Sequence, residues 1–262
     1  MFRRIITPLA ATAMLAASFA LAQDARAPLK GYLTADTMPD TVRVLPPPPP
    51  IGSGRALDDE AIFTNTRALA GSQRWALATS DANLRQGPAY FACALGITLD
   101  GQNAPKLTRL FFRVAADSHD VVEPPKDHYG RPRPYADAPD APTCEPKTEG
   151  LTKNPSYPSG HATLSWAWGL ILAELAPDRA SDIMMRARSI GESRMVCGVH
   201  YLSDVEAGRD DGAALVAALH ASPEFRADMD AARDELKAVR ETPHVGPGDC
   251  LDTDQAAAHP PY

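Results

Sequence analysis

Residues 162–176 have the sequence ATLSWAWGLILAELA, which is apolar on almost every helical face. A helix that is apolar all round is buried among other elements, so we predict a central helix here. Over residues 105–122, apolar side chains recur at spacings of three and four, which indicates an amphipathic helix. Pro124-Pro125 is expected to end that second helix.

The rest of the chain carries helical signals as well. Residues 178–197 are amphipathic up to Gly198, a typical helix-ending residue. Residues 203–206 (SDVE) resemble a capping box that opens a further helix, and residues 222–240 form a charged helical segment. No alternating run of convincing length and no internal repeat is found. We therefore predict an all-α protein with one helical-bundle domain over residues 56–240.

Three segments outside this domain have distinctive compositions. Residues 1–22 start with a basic pair and continue as an Ala-rich apolar run that ends in a small-x-small sequence, which predicts a signal peptide and export. A transmembrane anchor is the less favoured interpretation, because Pro8 interrupts a run at the short end of the roughly 20 residues that span a bilayer. Residues 23–55 include five consecutive prolines and are predicted to be an irregular arm. Residues 241–262, rich in Pro, Gly and Ala, are predicted to be an irregular tail.

The overall charge limits the partners. The chain of 262 residues has a formal net charge of −7 and a pI of about 5.5. This argues against a nucleic-acid coat or a polybasic membrane patch, and no later segment is long and apolar enough to span a bilayer. We expect neither a nucleic-acid nor a membrane partner, so any anion site must be a local cluster of basic residues.

Cysteine usage agrees with export. The chain has four cysteines, Cys93, Cys144, Cys197 and Cys250. An even number in an exported chain predicts two disulfides, with three pairings open. Buried free thiols are the alternative. No CxxC pair is present, so a cysteine zinc site is not expected.

Two clusters of chemistry-bearing residues flank a proline-rich loop. The first, KDHYGRPRP at 126–134, supplies Lys126 and Arg133 on a stretch stiffened by prolines. The second, PSGH at 158–161, directly precedes the central helix, and the free N–H groups of a helix N-terminus suit phosphate. Each cluster also has an ordinary interpretation: a basic loop is usually solvated, Ser159 could be a simple helix cap, and His161 could be a structural histidine.

The third cluster, SRMVCGVHYLSD at 193–204, combines a cation with a histidine and a carboxylate. Arg194 and His200 are six apart, but Gly198 lets the helix end so that both can point into one pocket. His200 and Asp204 are four apart, which places them on one face of a helical turn. A carboxylate bonded to one imidazole nitrogen leaves the other free to attack. Taken alone, this is most often a surface His–Asp pair.

Together the clusters provide several cations, neutral donors and two histidines. Phosphoryl transfer needs this inventory, since its catalysis is mostly positioning and stabilisation of negative charge. The spacing K-x6-RP, PSGH and SR-x5-H-x3-D resembles the signature of the phosphatidic acid phosphatase type 2 and vanadium haloperoxidase superfamily. Among the members of this superfamily, the class A bacterial non-specific acid phosphatases have motifs similar to SYPSGH at 156–161 and CGVH at 197–200. The resemblance spans about residues 45–240.

The resemblance implies an acid phosphatase that is metal-independent, requires no cofactor and acts on small-molecule phosphate monoesters in the periplasm, commonly as a homo-oligomer and with phosphotransferase side activity. A vanadium-dependent haloperoxidase is the alternative, although such proteins are typically much longer. The implied catalytic residues are His200 as nucleophile, Asp204 as its orienting carboxylate and His161 as acid and then base. The implied phosphate ligands are Lys126, Arg133, Ser159, Gly160 and Arg194.

Several features depart from the family pattern or stay open. Pro124-Pro125 stand where the family usually continues its helix into the motif lysine, and the sequence offers no account of Asp210-Asp211 at usually apolar positions. Tyr129 and Tyr135 could contact a leaving group or simply pack against the domain. Cys144 and Cys197 both lie near motifs, so we expect them to pair, which would join Cys93 to Cys250.

Overall fold

A computed structural model of the chain describes residues 29–242 and 246–262, and the predicted signal peptide at 1–22 lies outside them. The described residues contain helices and no strand, which confirms the all-α prediction. Short 3-10 turns lie at Arg67–Leu69, Leu84–Phe91, Pro134–Ala136 and Pro177–Arg179. The α-helices are α1 Thr41–Val44, α2 Gly54–Thr66, α3 Gln73–Asp81, α4 Ala92–Leu95, α5 Pro105–Tyr129, α6 Glu149–Lys153, α7 Gly160–Leu175, α8 Ala180–Val196, α9 Leu202–Leu219, α10 Pro223–Glu241 and α11 Leu251–Ala258.

Helix α7 is the central helix that the apolar run predicts. Its Trp168 is fully buried, stacks on the ring of Phe111 of α5 at 4.9 Å and donates its indole N–H to the Phe111 carbonyl at 2.9 Å. Helix α9 crosses α7 closely, since a Cβ on Gly208 would lie 2.6 Å from the Ser159 carbonyl oxygen and one on Gly212 equally close to that of Thr163. This contact holds the N-terminal end of α7 against α9, which carries Asp204.

The same contact buries Asp211. Its side chain has no solvent exposure, accepts a long hydrogen bond of 3.5 Å from the Thr163 hydroxyl, and has one oxygen, Oδ1, without a partner among the described residues. Burial raises the pKa of this carboxyl to about 8. Asp211 is therefore a neutral acid at acidic pH.

The expectation that Pro124-Pro125 ends the second helix is wrong. Helix α5 runs through both prolines to Tyr129 and ends where Gly130 adopts φ 56°. A proline inside a helix removes the N–H that would bond the carbonyl four residues earlier. For Pro125 that carbonyl is Val121, and the Thr41 hydroxyl of α1 donates to it at 2.7 Å instead. Lys126 consequently lies on the last turn of a continuous helix, as in the family pattern.

The predicted arm is less irregular than expected. It contains the one-turn helix α1, and α2 already begins at Gly54 because the Ser53 hydroxyl caps it. Leu45 is buried, and its carbonyl accepts a hydrogen bond from the Tyr129 hydroxyl at 3.2 Å. The hydroxyl of Tyr157 donates to Pro46. The proline-rich segment thus lies along the domain surface, where the hydroxyls of Tyr129 and Tyr157 donate to its backbone carbonyls.

The prediction of an irregular tail is also wrong, because residues 251–258 form α11. The Asp249 carboxylate accepts the Leu251 N–H at 2.9 Å, and alanines, the best helix formers, fill the last turn. A disulfide between Cys250 and Cys93 ties the start of this helix to the domain. The second disulfide joins Cys144 to Cys197, so both expected pairings are present. No helix in the described part of the chain is both long and apolar enough to cross a membrane.

Candidate active site

One cavity of about 330 Å³ collects six of the eight predicted site residues. They come from the end of α5, the loop after it, the start of α7, the end of α8 and the turn into α9. A larger groove of about 910 Å³ between the proline-rich arm and α9 contains none of them. The six residues in the smaller cavity are Lys126, Arg133, Gly160, His161, Arg194 and His200.

His200 presents an unprotonated ring nitrogen to this cavity. Its Nε2 lies 3.2 Å from Nη1 of Arg133, and since a guanidinium can only donate, Nε2 carries a lone pair. The proton is therefore on Nδ1, which faces Oδ2 of Asp204 at 3.4 Å. Burial, followed by the charges of Arg133 and Lys126, holds the pKa of His200 well below its ordinary value. The imidazole is neutral and oriented, as a nucleophile must be.

The backbone between α8 and α9 produces this arrangement. Gly198 turns the chain with φ 74°, where a side chain would also collide with Arg67. Helix α9 then starts with Tyr201 as its cap, and the Asp204 carboxylate accepts the Tyr201 N–H at 2.9 Å. The predicted capping box at 203–206 is thus placed two residues too late. Asp204 thus caps α9 and also faces Nδ1 of His200.

Behind Asp204 lies a charge network that sequence reasoning missed. Arg131 donates to Asp204 at 2.6 Å, to the Ser203 hydroxyl at 2.7 Å and to Asp59 of α2 at 2.9 Å. Asp59 also accepts the Ser203 N–H at 2.9 Å. Burial raises the pKa of Asp204, and the Arg131 guanidinium opposes that rise. Arg131 is therefore a positioning residue, and its place in the stiff basic loop was the available signal.

Lys126 and Arg133 are held side by side by Asn154, which the sequence motifs did not single out. The Asn154 side-chain oxygen accepts from Lys126 Nζ at 2.6 Å and from Arg133 Nη2 at 3.1 Å, and its carbonyl accepts from Arg133 Nε at 2.9 Å. A neutral acceptor aligns two cations without cancelling their charge. Burial, followed by the charge of Arg133, lowers the pKa of Lys126 to about 8.

The third cation, Arg194, enters the cavity from α8 and is almost fully buried. One of its terminal nitrogens donates to the carboxylate of Glu145. Its Nε has no hydrogen-bond partner among the described residues, although it is buried. A buried donor without a partner is costly, so this guanidinium is suited to receive an anion.

The start of α7 contributes His161 and backbone groups. His161 Nε2 lies 3.0 Å from the Ala82 carbonyl, which can only accept, so Nε2 carries the proton of the neutral ring. Burial, followed by the Arg194 charge, holds its pKa well below the ordinary value. Gly160 lines the cavity, whereas Ser159 is fully buried behind it and its hydroxyl caps α7 by accepting the Ala162 N–H at 3.4 Å.

The two tyrosines beside the first cluster pack against the domain. Tyr129 contacts the Tyr157 ring edge-to-face at 5.4 Å, and Tyr135 is buried, with its hydroxyl near that of Thr152. Neither lines the cavity. Within residues 29–242 and 246–262, no group of three or more histidine, cysteine or acidic side chains is arranged to hold a metal ion.

The geometry suits an anion with several oxygens. Three cations and the N-terminal end of a helix surround one space. Their positive charge complements the negative charge that spreads over the oxygens of a transferring phosphoryl group. The neutral imidazole of His200, with its Nε2 unprotonated, faces that space from one side, and the imidazole of His161 lies in the same lining. This combination can bind a phosphoryl group, attack it and exchange a proton with its leaving group.

Sequence comparisons with a family model and with curated proteins agree with this chemistry. Residues 107–228 match the family model of the PAP2 superfamily. An acid phosphatase of Zymomonas mobilis subsp. mobilis is 44% identical over 215 residues, which is 81% of this chain and 81% of that protein. A non-specific acid phosphatase of Providencia stuartii is 36% identical over 213 residues, 80% of this chain and 86% of that one. A transmembrane PAP2-type phosphatidylglycerolphosphate phosphatase from Bacillus subtilis superposes with a TM-score of 0.45 at 19% identity, covering 66% of this chain and 89% of that chain.

Proposed function

This chain belongs to the PAP2 superfamily, and we propose that it is an exported acid phosphatase that hydrolyses a broad range of small-molecule phosphate monoesters through a phosphohistidine at His200. The relatives that match most of the chain are named acid phosphatases, which supports a phosphatase. The observation that carries the mechanism is the unprotonated Nε2 of His200 in a cavity lined by three cations.

In the first half-reaction, the phosphoryl oxygens bind Lys126, Arg133 and Arg194. Because Arg133 Nη1 already points at His200 Nε2, this guanidinium turns its N–H toward a phosphoryl oxygen as the ester enters. Nε2 then forms a bond to phosphorus, and the bond from phosphorus to the ester oxygen breaks. His161 gives its proton to the departing alcohol oxygen. Asp204 stabilises the positive charge that develops on the His200 ring.

In the second half-reaction, neutral His161 removes a proton from water, and the water oxygen bonds to phosphorus as the bond to His200 breaks. Inorganic phosphate leaves and His161 is again protonated. An alcohol in place of water would receive the phosphoryl group instead, which is the phosphotransferase reaction. Neither half-reaction calls for a metal ion or an organic cofactor.

Acidic conditions favour this cycle for two reasons. His161 must be protonated to act as an acid, yet its pKa lies well below the ordinary value in the free protein, so its protonated fraction falls as pH rises. Lys126 binds phosphate only when charged, and it loses its proton as pH passes about 8. The negative charge of a bound phosphoryl group raises the pKa of His161 again. We therefore expect kcat/KM to peak in acid and to decline above neutrality.

The test is hydrolysis of p-nitrophenyl phosphate in EDTA, from acidic to mildly alkaline pH, by the wild type, His200→Ala and a control. His220→Ala is the matched control, because His220 is a half-exposed histidine paired with Glu174 on the surface. We expect an acidic maximum in EDTA for the wild type and the control, and a loss of at least about a thousandfold in His200→Ala. Activity that EDTA abolishes, or that His200→Ala retains, would refute the proposal. Bromide oxidation with peroxide and vanadate would identify a haloperoxidase instead.

A further inference from the structure

An acidic side chain lies among the cations of the phosphate cavity, where the proposed chemistry does not require one. The Glu145 carboxylate forms an ion pair with Arg194 and lines the same cavity as Lys126, Arg133, His161 and His200. The Arg194 side chain is 2% exposed, whereas that of Glu145 is 23% exposed. The pair thus lies at the mouth of the cavity, with the cation inside and the carboxylate toward solvent.

Glu145 occupies one of the Arg194 donors that face the cavity. Arg194 Nη2 donates to Glu145, its Nη1 has only a weak contact of 3.9 Å with the Cys197 sulfur, and its Nε is without a partner among the described residues. A phosphoryl group that takes this N–H displaces the carboxylate, and one that binds the remaining N–H groups of the guanidinium lies beside the negative charge of the carboxylate. The partial exposure of Glu145 gives its side chain room to turn outward when this happens.

The backbone keeps Glu145 at this position. Its neighbour Cys144 is joined to Cys197 by a disulfide, and the Cys144 N–H donates to the Cys197 carbonyl at 3.2 Å. Cys197 follows Arg194 by three residues on the same chain segment. The carboxylate can rotate away from Arg194 but its backbone cannot leave, so it returns to the guanidinium whenever the phosphoryl group departs.

We propose that Glu145 determines the phosphate affinity of this site, as an internal anion that competes with the phosphoryl group for Arg194. The inference rests on the proposed function, since it concerns the same cavity. The charged side chains that line the cavity are the cations Lys126, Arg133 and Arg194 and the carboxylates Glu145 and Glu123. Glu145 is paired with a cation of the site, whereas Glu123 faces His119. His161 and His200 are neutral. By weakening the hold on phosphate, Glu145 allows the product to leave between turnovers.

The alternative is that Glu145 only orients Arg194, and the two roles predict opposite signs. If Glu145 competes, Glu145→Gln removes one negative charge within a few ångströms of the ligand, and phosphate binds more tightly. If it orients, the same variant loosens Arg194 and phosphate binds more weakly. Glu149→Gln is the matched control, since Glu149 is an 81% exposed glutamate that pairs with Lys153 on α6 and lies outside the cavity lining.

The experiment is calorimetric titration of inorganic phosphate into the wild type, Glu145→Gln, Glu145→Ala and Glu149→Gln at about pH 6. We expect Kd to fall at least tenfold, or about 1.4 kcal/mol, in both Glu145 variants and to stay within twofold in Glu149→Gln. KM for p-nitrophenyl phosphate should fall with Kd, while kcat does not rise.

An unchanged or weaker Kd in Glu145→Gln, with the thermal unfolding midpoint preserved, would overturn the proposal. Direct binding needs no turnover, so the comparison can be made even if the wild type hydrolyses nothing. Lack of hydrolysis together with tighter phosphate binding by the variants would refute the proposed function alone. Hydrolysis as proposed with no gain in phosphate affinity would refute the role of Glu145 alone.

Discussion

Replacing Arg131 by methionine would remove the cation that bridges two buried carboxylates behind His200. Arg131 is hydrogen-bonded to Asp204, Asp59 and Ser203, and the side chains of the two carboxylates are 0% and 2% exposed. Each carboxylate keeps a backbone N–H, from Tyr201 and Ser203 respectively. Breaking a buried pair by removing one partner typically costs about 3–5 kcal/mol. We expect that loss at neutral pH, which corresponds to roughly 6–20 °C in Tm.

The pH dependence of this loss follows from the pKa of Asp204. Burial already raises that pKa, and the Arg131 guanidinium is the largest influence that opposes the rise, so Arg131→Met raises it further. A carboxyl whose folded-state pKa lies above its unfolded value loses stability as pH rises from about 4 through the folded-state pKa. The deficit of Arg131→Met should therefore be smaller at about pH 4–5 than at pH 7. A protonated Asp204 also orients His200 poorly, so kcat should fall at least tenfold.

Urea unfolding with the disulfides intact, at acidic and neutral pH, measures this deficit. Arg233→Met is the matched control, since Arg233 pairs with Glu174 and Asp230 at the surface with 40% of its side chain exposed. Surface pairs contribute under about 1 kcal/mol, so the control should stay near the wild type. A deficit below about 1 kcal/mol in Arg131→Met at neutral pH, or one that grows toward acid, would show that the network does not act as described.

Three further changes probe other parts of the account. Asn154→Ala should raise the Ki of inorganic phosphate about tenfold, because Lys126 loses the side-chain oxygen that holds it. Asn154→Asp should raise the Ki further, because it adds a negative charge beside the phosphate. Equal Ki values in the wild type and both variants would contradict this. Asp211→Asn removes a buried carboxyl whose pKa is about 8. The wild type loses stability as this carboxyl ionises, so the unfolding free energy of the variant relative to the wild type should rise by about 2–5 kcal/mol from pH 4 to pH 8. Parallel pH curves for the two proteins would count against a neutral Asp211. Thr41→Val leaves the Val121 carbonyl without its donor and should cost about 1–3 kcal/mol in urea unfolding; a loss near zero would mean that another group takes over.

The sequence predicts the helical class and the central helix because these signals are local, and six of the eight site residues that the family resemblance implies line the cavity. An apolar run of helical length needs no long-range information to indicate a buried helix. The turn at Gly198 follows from glycine alone, and it brings Arg194 and His200 to the same cavity. The spacing of His200 and Asp204 likewise specifies a contact within one helical turn.

Contacts between distant segments could not be predicted in this way. Helix α5 continues through Pro124-Pro125 partly because a hydroxyl about 80 residues earlier, on Thr41, reaches the freed carbonyl. Asp59 joins the site across 72 residues, through Arg131. The position of Glu145 on Arg194 depends on a disulfide and on the fold of a proline-rich loop. In each case the deciding partner is far away in the sequence and has no motif of its own.

The central claim is that the Nε2 atom of His200 becomes phosphorylated. The direct measurement is rapid quenching of the His161→Ala variant during turnover of p-nitrophenyl phosphate, followed by peptide mass spectrometry under alkaline conditions. This substrate has a good leaving group, so the first half-reaction can proceed, whereas hydrolysis of the intermediate lacks its base. We predict one phosphoryl group on the peptide that contains His200, and none in a protein that also carries His200→Ala. A phosphoryl group on another residue, or none on His200 while p-nitrophenol is still released, would contradict the mechanism.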